Sequence, residues 1–339
     1  MPTWSGWRPA RRSRRPGPVD DGPHVRVLVT GADGFVGRHL VRHLLQSGDE
    51  VAAACRPGTP PVEWSAGAPG SARVDVLPFE ILSAESIAGA LAWRPEAIVH
   101  LAAVASVRAA GLDPGAAWDI NAGGTARLAA AAGAVTSAGA LTLLVISTGE
   151  VYGAGAGKPR LETDPLLPLS PYAASKVGAE TAALETWRRT GLRVVLGRPF
   201  PHTGPGQTTQ FVVPAFAARL RAARRSGART VATGNLGPVR DLLDVRDVVA
   251  AYRLLLARGT PGEAYNVASG AGLSLSEVFR RLAVLTGVEA EPVTDPALAR
   301  ASDIPHLVGD STKLRRATGW APARSLEQTL QELVDAEAD

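Results

Sequence analysis

Apolar runs of strand length recur along the first 200 residues and alternate with segments of helical spacing. The runs lie at 25–30, 50–55, 97–102, 141–147 and 193–199, and the helical segments between them include 38–48, 85–93 and 125–133. Strands that are apolar at nearly every position, separated by helices, are typical of a parallel sheet covered on both faces. Because crossovers between parallel strands are right-handed, the pattern predicts an α/β fold with a Rossmann-like, doubly wound parallel sheet.

The alternation becomes irregular after about residue 200. Proline, glycine and threonine crowd into 199–210, a helix is predicted at 213–226, and a strand followed by a helix is predicted at 241–257. We expect 24–200 to form mainly a nucleotide-binding domain and 201–339 mainly a smaller α/β substrate-binding part, with strands returning to the first sheet. Residues 1–23 are predicted to be a disordered tail rich in arginine and proline.

Positive charge is concentrated in that tail. Residues 1–23 have a local balance of +3, from five arginines and two aspartates, while the whole chain carries +4. The nearly neutral body gives no support to nucleic-acid binding, and no nucleic-acid partner is expected. The single cysteine, Cys55, excludes an internal disulfide, so a reducing, cytoplasmic location is expected.

Residues 128–149 carry no charge and are long enough to span a bilayer. The run is mostly alanine with small residues in its middle, and it ends in the denser apolar run 141–147. A buried helix followed by a buried strand explains this pattern better, so no membrane segment is predicted.

A glycine-rich loop follows the first predicted strand. The sequence TGADGFVGRHL places Gly31, Gly34 and Gly37 at GxxGxxG spacing. Glycine permits a tight turn, close approach of the backbone to a pyrophosphate, and close packing of helix on sheet. Because the loop joins a strand to a helix, whose free N–H groups favour phosphates, the pattern predicts a dinucleotide site.

The end of the second strand indicates which dinucleotide binds. An acidic residue there favours NAD, whereas an arginine accommodates the additional phosphate of NADP. Cys55 is followed by Arg56, with no acidic residue before Glu63. We therefore predict NADP as the cofactor, with NAD less favoured; the alternative is that Arg56 is only a solvated charge.

A YxxxK pair, Tyr172 and Lys176, supplies candidate chemistry. Residues four apart share a helix face, so the ammonium can lie near the phenol. We expect this charge to lower the pKa of Tyr172 and make it an acid or base at neutral pH. The motif is weak alone, but the glycine loop and the Ser147–Thr148 pair at a strand end strengthen it.

These motifs belong to a longer ordered series over residues 25–335. The chain resembles the extended short-chain dehydrogenase/reductase family of nucleotide-sugar epimerases, dehydratases and reductases, above all the reductases and dehydratases that act on GDP-hexoses. The motifs that carry the resemblance are TGADGFVG, HLAA, INAGGT, STGEVYG, SPYAASK, RPFPHTGPGQ, VRDLLDVRDV, YNVASG and GDSTKLRRATGWAP.

The resemblance implies a nucleotide-sugar substrate carrying GDP, a homodimer, and roles for the residues at matching positions. It implies catalytic roles for Thr148, Glu150, Tyr172 and Lys176. It implies substrate contacts for Thr148, Glu150 and Tyr172, and for Arg240 and Arg300, whose guanidinium groups would pair with the diphosphate. The implied cofactor contacts are Gly31, Gly34, Phe35, Val36, Gly37, Arg56, Glu80, Ile81, Leu101, Ala102, Ala103, Tyr172, Lys176, Pro199 and His202.

The motif around Thr148 leaves the reaction open. A 4-keto reductase needs hydride at C4 and a proton from Tyr172, whereas a 4,6-dehydratase also needs a base, for which Glu150 is available. Many dehydratases place an aspartate or serine where this chain has Gly149. We favour the reductase; a dehydratase, another epimerase and a non-catalytic dinucleotide sensor remain alternatives.

One position departs from the family pattern. Pro201 stands where the family usually has an asparagine, in RPFPH. Proline offers no side-chain polar group and no backbone N–H, so the pocket must differ there. The histidines and the single cysteine lack metal-ligand spacing, and no catalytic metal is expected.

Overall fold

The computed structural model describes residues 25–60, 62, 64, 74–135, 140–155, 157–298 and 304–336. The predicted tail, 1–23, lies outside the described residues. The first half of the chain alternates strands and helices in the following order: β1 (Arg26–Thr30), α1 (Phe35–Gln46), β2 (Glu50–Cys55), β3 (Val74–Pro78), α2 (Ala84–Ala92), β4 (Ala97–His100), α3 (Val107–Leu112), α4 (Pro114–Trp118), a π-helical turn (Asp119–Gly123), α5 (Gly124–Val135), β5 (Thr142–Ile146), a 3-10 turn (Gly149–Tyr152), α6 (Pro171–Thr190) and β6 (Arg193–Pro199).

The second half has shorter strands. Its order is β7 (His202–Thr203), α7 (Val212–Ser226), β8 (Thr230–Thr233), β9 (Val239–Asp241), β10 (Leu243–Asp244), α8 (Val245–Arg258), β11 (Ala264–Val267), β12 (Gly272–Ser274), α9 (Leu275–Thr286), β13 (Glu291–Thr294), a 3-10 turn (Pro296–Leu298), β14 (His306–Leu307), α10 (Thr312–Thr318) and α11 (Leu326–Asp335).

The main sheet has seven strands in the order β11-β6-β5-β4-β1-β2-β3. Every neighbouring pair in it is parallel. The order reverses at β1, which lies between β2 and β4, and a crevice forms beyond the carboxyl ends of the strands at such a point. The prediction of a Rossmann-like, doubly wound parallel sheet is confirmed.

Alternate residues of each strand enter two different core layers. In β1, Val27 and Val29 pack with α1 and α8, whereas Leu28 packs on the other face with α2, α5 and α6. Burial of one such side chain contributes about 1.5–3 kcal/mol. Because both faces of the sheet are covered, its central strands are apolar throughout rather than at every second position.

Among the described residues, one strand of the second half of the chain joins the main sheet. Strand β11 pairs with β6, with Ala264 opposite Leu196 and Val267 opposite Pro199. Helices α8 and α10 also pack against the main sheet, whereas α7, α9 and α11 enclose a separate core, beside the three-stranded sheet β12-β9-β14. The division of roles between the two halves stays a prediction.

The start of α6 and the α5–β5 segment position the residues that are predicted to be catalytic. Helix α6 begins at Pro171, where the Ser170 side chain accepts a hydrogen bond from Ala173 N–H, and it ends at Gly191 in a left-handed conformation. Tyr172 and Lys176 therefore lie in its first two turns. Residues 128–149 contain the end of α5 and the whole of β5, as predicted. No described helix is long and apolar enough to cross a membrane.

Candidate active site

The glycine loop forms a tight cradle at the carboxyl end of β1. Gly31 has a φ of +68°, and a Cβ there would lie 2.8 Å from the backbone nitrogen of Ala102. A Cβ on Gly37 would overlap the carbonyl oxygens of Gly31 and Ala32. Gly34 is exposed and precedes α1, whose first turn has no acidic residue and no side-chain cap. Free N–H groups thus face the crevice, which fits the pyrophosphate of a dinucleotide.

The other predicted cofactor residues surround this crevice. Phe35 lies edge-on to His39, with centroids 5.4 Å apart, and parallel to His202, at 6.3 Å. His202 Nδ1 is 2.9 Å from the carbonyl oxygen of Phe200, directly beyond Pro199 at the end of β6. Val36 packs against the core below the loop.

The strand next to β1 supplies the facing wall. Leu101 N–H donates to the Thr30 carbonyl at 3.1 Å, and Ala102 N–H to Thr30 Oγ1 at 3.3 Å. Both residues are half-buried and follow β4, as does Ala103. The structure thus brings Leu101–Ala103 to the same edge of the sheet as the glycine loop.

Two of the predicted adenosine-side residues differ in environment. Glu80 is exposed just beyond β3, and its Oε1 accepts the N–H of Leu82 at 3.4 Å. Ile81 is buried and contacts the start of α5, where a Cβ on Gly124 would meet its side chain. Glu80 can therefore reach a ligand, whereas Ile81 mainly supports the fold.

Arg56 lies directly after β2 with an 80% exposed side chain, and its Nη2 is 3.6 Å from Asp33 Oδ2. The guanidinium is near the glycine loop but mostly solvated, so a role of Arg56 at the cofactor ribose stays a prediction. Sequence reasoning missed Asp33, whose position inside the GADGF motif was the available signal.

The residues predicted to act on substrate converge between β5 and α6. Thr148 is buried and caps the 3-10 turn, its Oγ1 accepting the Glu150 N–H at 3.2 Å. The Thr148 hydroxyl also forms a hydrogen bond with the Tyr172 phenol, and the Glu150 carboxylate is close enough to raise the pKa of Tyr172. Thr148, Glu150 and Tyr172 thus form one cluster.

The protonation of Tyr172 differs from the expectation. Its pKa is raised above the ordinary value of about 10, chiefly by burial and then by Glu150, against a smaller opposing effect of the Thr148 hydrogen bond. The predicted lowering by Lys176 is therefore wrong for this state of the site. The phenol holds its proton at neutral pH.

Lys176 points toward the end of β5 rather than into solvent. Its Nζ donates to the Ile146 carbonyl at 2.8 Å. Burial lowers the pKa of Lys176 to about 8, and the carboxylate of Glu180, one turn further along α6, opposes this shift. Lys176 is positively charged at neutral pH and can hold a ribose hydroxyl.

His100 supports the floor of the site. Its Nδ1 is 2.8 Å from Thr30 Oγ1 and its Nε2 is 3.1 Å from Thr125 Oγ1. Burial, and secondarily Lys176, lowers the pKa of His100 to about 3, so the ring is neutral. It is a satisfied core histidine.

A buried polar network that sequence reasoning missed joins the elements under the site. Arg198 on β6 binds both carboxylate oxygens of Glu180, with Nε–Oε1 at 2.9 Å and Nη2–Oε2 at 2.6 Å. Its Nη1 donates to the Tyr152 hydroxyl at 2.9 Å, and that hydroxyl donates to Asn266 Oδ1 at 2.7 Å. The network fixes the turn that carries Thr148 and Glu150 relative to the helix that carries Tyr172.

The structure describes only one of the two arginines that are predicted to bind the diphosphate. Arg240 on β9 is buried, and its Nη1 donates to the carbonyl oxygens of Ile304, at 2.7 Å, and Val239, at 2.9 Å. Arg300 lies outside the described residues. Arg240 is therefore oriented by the backbone of the smaller unit.

Two local features concern positions where the sequence departs from the family pattern. Pro201 uses its carbonyl oxygen to accept the Leu243 N–H at 3.0 Å, which holds β7 beside β10. At Gly149, a Cβ would lie 3.0 Å from two ring carbons of Phe200. A side chain at position 149 therefore requires Phe200 to move.

Comparison with known proteins places this site in context. A family model described as GDP-mannose 4,6 dehydratase matches residues 28–333. The chain is similar to a GDP-6-deoxy-D-mannose reductase of Pseudomonas aeruginosa, with 37% identity over 91% of this chain and 96% of the relative.

Solved structures show the same similarity with different cofactors. A structure described as RMD from Pseudomonas aeruginosa complexed with NADPH superposes with a TM-score of 0.77 and 34% identity, covering 92% of this chain and 98% of the other. A UDP-glucose 4-epimerase from Thermus thermophilus in complex with NAD superposes with a TM-score of 0.78 and 33% identity, covering 91% of this chain and 98% of the other.

Proposed function

Because this chain belongs to the extended short-chain dehydrogenase/reductase family of nucleotide-sugar reductases, dehydratases and epimerases, we propose that it reduces the C4 ketone of a GDP-6-deoxy-4-keto-hexose with NADPH. The observation that carries the proposal is the position of the Tyr172 phenol beside the Thr148 hydroxyl, because a phenol is protonated at neutral pH. Reduction of a ketone needs a proton donor at its oxygen, and this phenol is one.

Different residues of the chain have different roles in the proposed reduction. NADPH, when bound, supplies the hydride that reduces C4 and leaves as NADP⁺. The glycine loop binds its pyrophosphate, and Lys176 holds the nicotinamide ribose. Thr148 donates a hydrogen bond to the ketone oxygen, and Tyr172 gives that oxygen its proton as the hydride arrives, so that the alcohol forms neutral.

A GDP-mannose 4,6-dehydratase is the second candidate, because Glu150 lies in the cluster and can act as a base for the C5 proton. Gly149 favours the reductase over this alternative. It provides no side chain to assist the C6 hydroxyl as it leaves, and Phe200 occupies the space that such a side chain would need.

Binding partners follow from the same site. Arg56 supports NADP over NAD, and Arg240 is the candidate for the diphosphate of the GDP-sugar, joined by Arg300. We also propose a homodimer through the outer surface of α5 and α6, hereafter the α5/α6 face, where small residues lie beside Trp118. The cytoplasmic location stays a prediction.

The experiment that separates the two reactions uses the purified chain and mass spectrometry of the sugar nucleotide. We expect no change in GDP-mannose without added reductant, and NADPH consumption when a GDP-6-deoxy-4-keto-hexose is supplied. Loss of one water from GDP-mannose alone would instead identify a dehydratase.

Glu150→Gln provides the matched control. A reductase should retain turnover within about tenfold, because Glu150 transfers no proton in that reaction, whereas elimination without its base should lose at least about a hundredfold. If the wild type converts neither GDP-mannose nor the GDP-6-deoxy-4-keto-hexose, the proposed function is wrong.

A further inference from the structure

Asp33, in the glycine loop, lies beside the end of β2. Its Oδ2 accepts a hydrogen bond from Thr59 Oγ1 at 3.3 Å and is 3.6 Å from Arg56 Nη2. The thiol of Cys55, the last residue of β2, hydrogen-bonds to the Asp33 backbone. The glycine loop and the end of β2 are therefore in contact, and this edge of a doubly wound sheet is where the ribose lies.

The two charged side chains differ in how firmly they are held. The Asp33 side chain is 9% exposed and that of Arg56 is 80% exposed. An ion pair of this length with a solvated guanidinium adds little stability, so Arg56 can leave Asp33 at small cost. The carboxylate is the fixed charge of the pair and the guanidinium is the movable one.

We propose that Asp33 is a specificity-determining residue for the cofactor, whose fixed carboxylate favours the ribose hydroxyls of NAD(H) and opposes the 2′-phosphate of NADP(H). Arg56 offsets this opposition by turning from Asp33 to the phosphate. The inference rests on the proposed use of a nicotinamide dinucleotide with Arg56 at its ribose.

The physical basis is the chemistry of the two ligands. A 2′-hydroxyl donates a hydrogen bond to a carboxylate, whereas a 2′-phosphate is itself an anion and is repelled by one. The contacts of the Asp33 carboxylate with Thr59 and Arg56 both fall on Oδ2. Among the described residues, Oδ1 is therefore the oxygen that can accept a ribose hydroxyl.

Removing either charge should shift selectivity in opposite directions. In Asp33→Asn, we expect NADPH to bind about tenfold tighter and NADH at least about threefold weaker, since the charge that repels the phosphate and strengthens the bond to a hydroxyl is replaced by a neutral amide. In Arg56→Gln, we expect NADPH to bind about tenfold weaker with little change for NADH. The double variant should return the ratio of the two dissociation constants toward that of the wild type.

The test is direct binding, measured by titration calorimetry with NADPH and NADH on the full chain. Glu50→Gln is the matched control, because it removes one carboxylate from the opposite end of β2, where the side chain is 67% exposed. We expect its selectivity to equal that of the wild type. Melting temperatures within a few degrees of the wild type verify that each variant is folded.

The outcomes separate this inference from the proposed function. If Asp33→Asn leaves the NADH-to-NADPH ratio within about threefold of the wild type, the inference is overturned. If the wild type prefers NADH and Arg56→Gln changes nothing, the proposed NADP preference is wrong. Asp33→Asn would then still weaken NADH binding if the role of Asp33 is correct, and unchanged NADH binding would overturn it.

Discussion

At the scale of single residues, Tyr172 decides whether the site is catalytic. Replacement by phenylalanine removes the proton donor but leaves the ring, so we predict that Tyr172→Phe lowers kcat at least about a hundredfold. NADPH affinity should change by less than about threefold, because the lost hydroxyl serves the ketone. Steady-state rates and NADPH titration measure the two effects.

Tyr252→Phe is the matched control for that substitution. Tyr252 is fully buried, and its hydroxyl has no hydrogen-bond partner among the described residues. Its loss should leave kcat within a few fold of the wild type. Nearly full activity in Tyr172→Phe would remove the basis for acid catalysis at this position.

We expect the protonation state of Lys176 to determine how the rate depends on pH. Its pKa is about 8, so its positive charge is present below pH 8 and is lost as the pH rises through that value. Tyr172, with a raised pKa, stays protonated over this range. We predict that kcat/KM for NADPH, at saturating sugar nucleotide, falls about tenfold per pH unit well above pH 8.

Lys176→Arg separates the charge from other causes of such a fall. A guanidinium stays charged to far higher pH, so the variant should be slower overall but lack the decline near pH 8. A wild-type profile that stays flat to pH 10 would show that the charge of Lys176 is not needed.

Some features of single residues in the site can be predicted from the sequence and others cannot. The spacing of Tyr172 and Lys176 was enough to predict one helix face, and the Ser147–Thr148 pair to predict a strand end beside it. The direction of the Tyr172 pKa shift could not be predicted, because it depends on burial and on Glu150. Glu150 reaches the phenol only through the turn that follows β5.

At the scale of elements, the glycine loop carries a testable requirement for the absence of a side chain. A Cβ at Gly37 would overlap carbonyl oxygens of the loop itself, which are backbone and cannot rotate away. We predict that Gly37→Ala weakens NADPH binding at least about tenfold and lowers the melting temperature by several degrees.

Gly89→Ala is the control for this substitution. Gly89 lies in α2, and no heavy atom lies within 4 Å of the position that a Cβ would occupy there. Alanine should therefore stabilise the helix by about 0.5–1 kcal/mol and leave NADPH binding unchanged. Calorimetric melting and NADPH titration distinguish the two. Equal behaviour of both variants would contradict a steric role for Gly37.

Strand prediction succeeded where strands are buried on both faces. The observed β2 and β6 have the predicted bounds, and β1, β4 and β5 differ by one or two residues at an end. Strand β3 was missed because it lies at the edge of the sheet and is largely exposed, with Val76 59% exposed. The five-residue α4 is too short to show a helical period.

At the scale of the whole molecule, the return of β11 to the sheet joins the two halves of the chain in one hydrogen-bond network. Asn266 on β11 hydrogen-bonds to Tyr152, which joins Arg198 and through it Glu180 on α6. The sequence predicts that strands of the second part return to the sheet, but the partners of Arg198 are distant along the chain and become visible only in the fold.

The α5/α6 face carries the last prediction. Trp118 is 45% exposed there, and Ala126, Ala130, Gly178 and Ala182 line the adjoining surface. Small residues let helices of a second copy approach closely, and the tryptophan supplies apolar area. We predict that the wild type has the mass of two 35.1 kDa chains and that Ala130→Glu, which buries a charge at this contact, shifts it toward one.

Light scattering coupled to size-exclusion chromatography measures the molecular mass of each variant. Ala88→Glu, at an exposed position of α2, is the matched control and should stay dimeric. Tyr172 and Lys176 lie on one of the two helices that form this face, so separation of the subunits should also reduce turnover. A wild-type mass of one chain, or an Ala130→Glu variant that remains dimeric, would rule out this face as the contact between subunits.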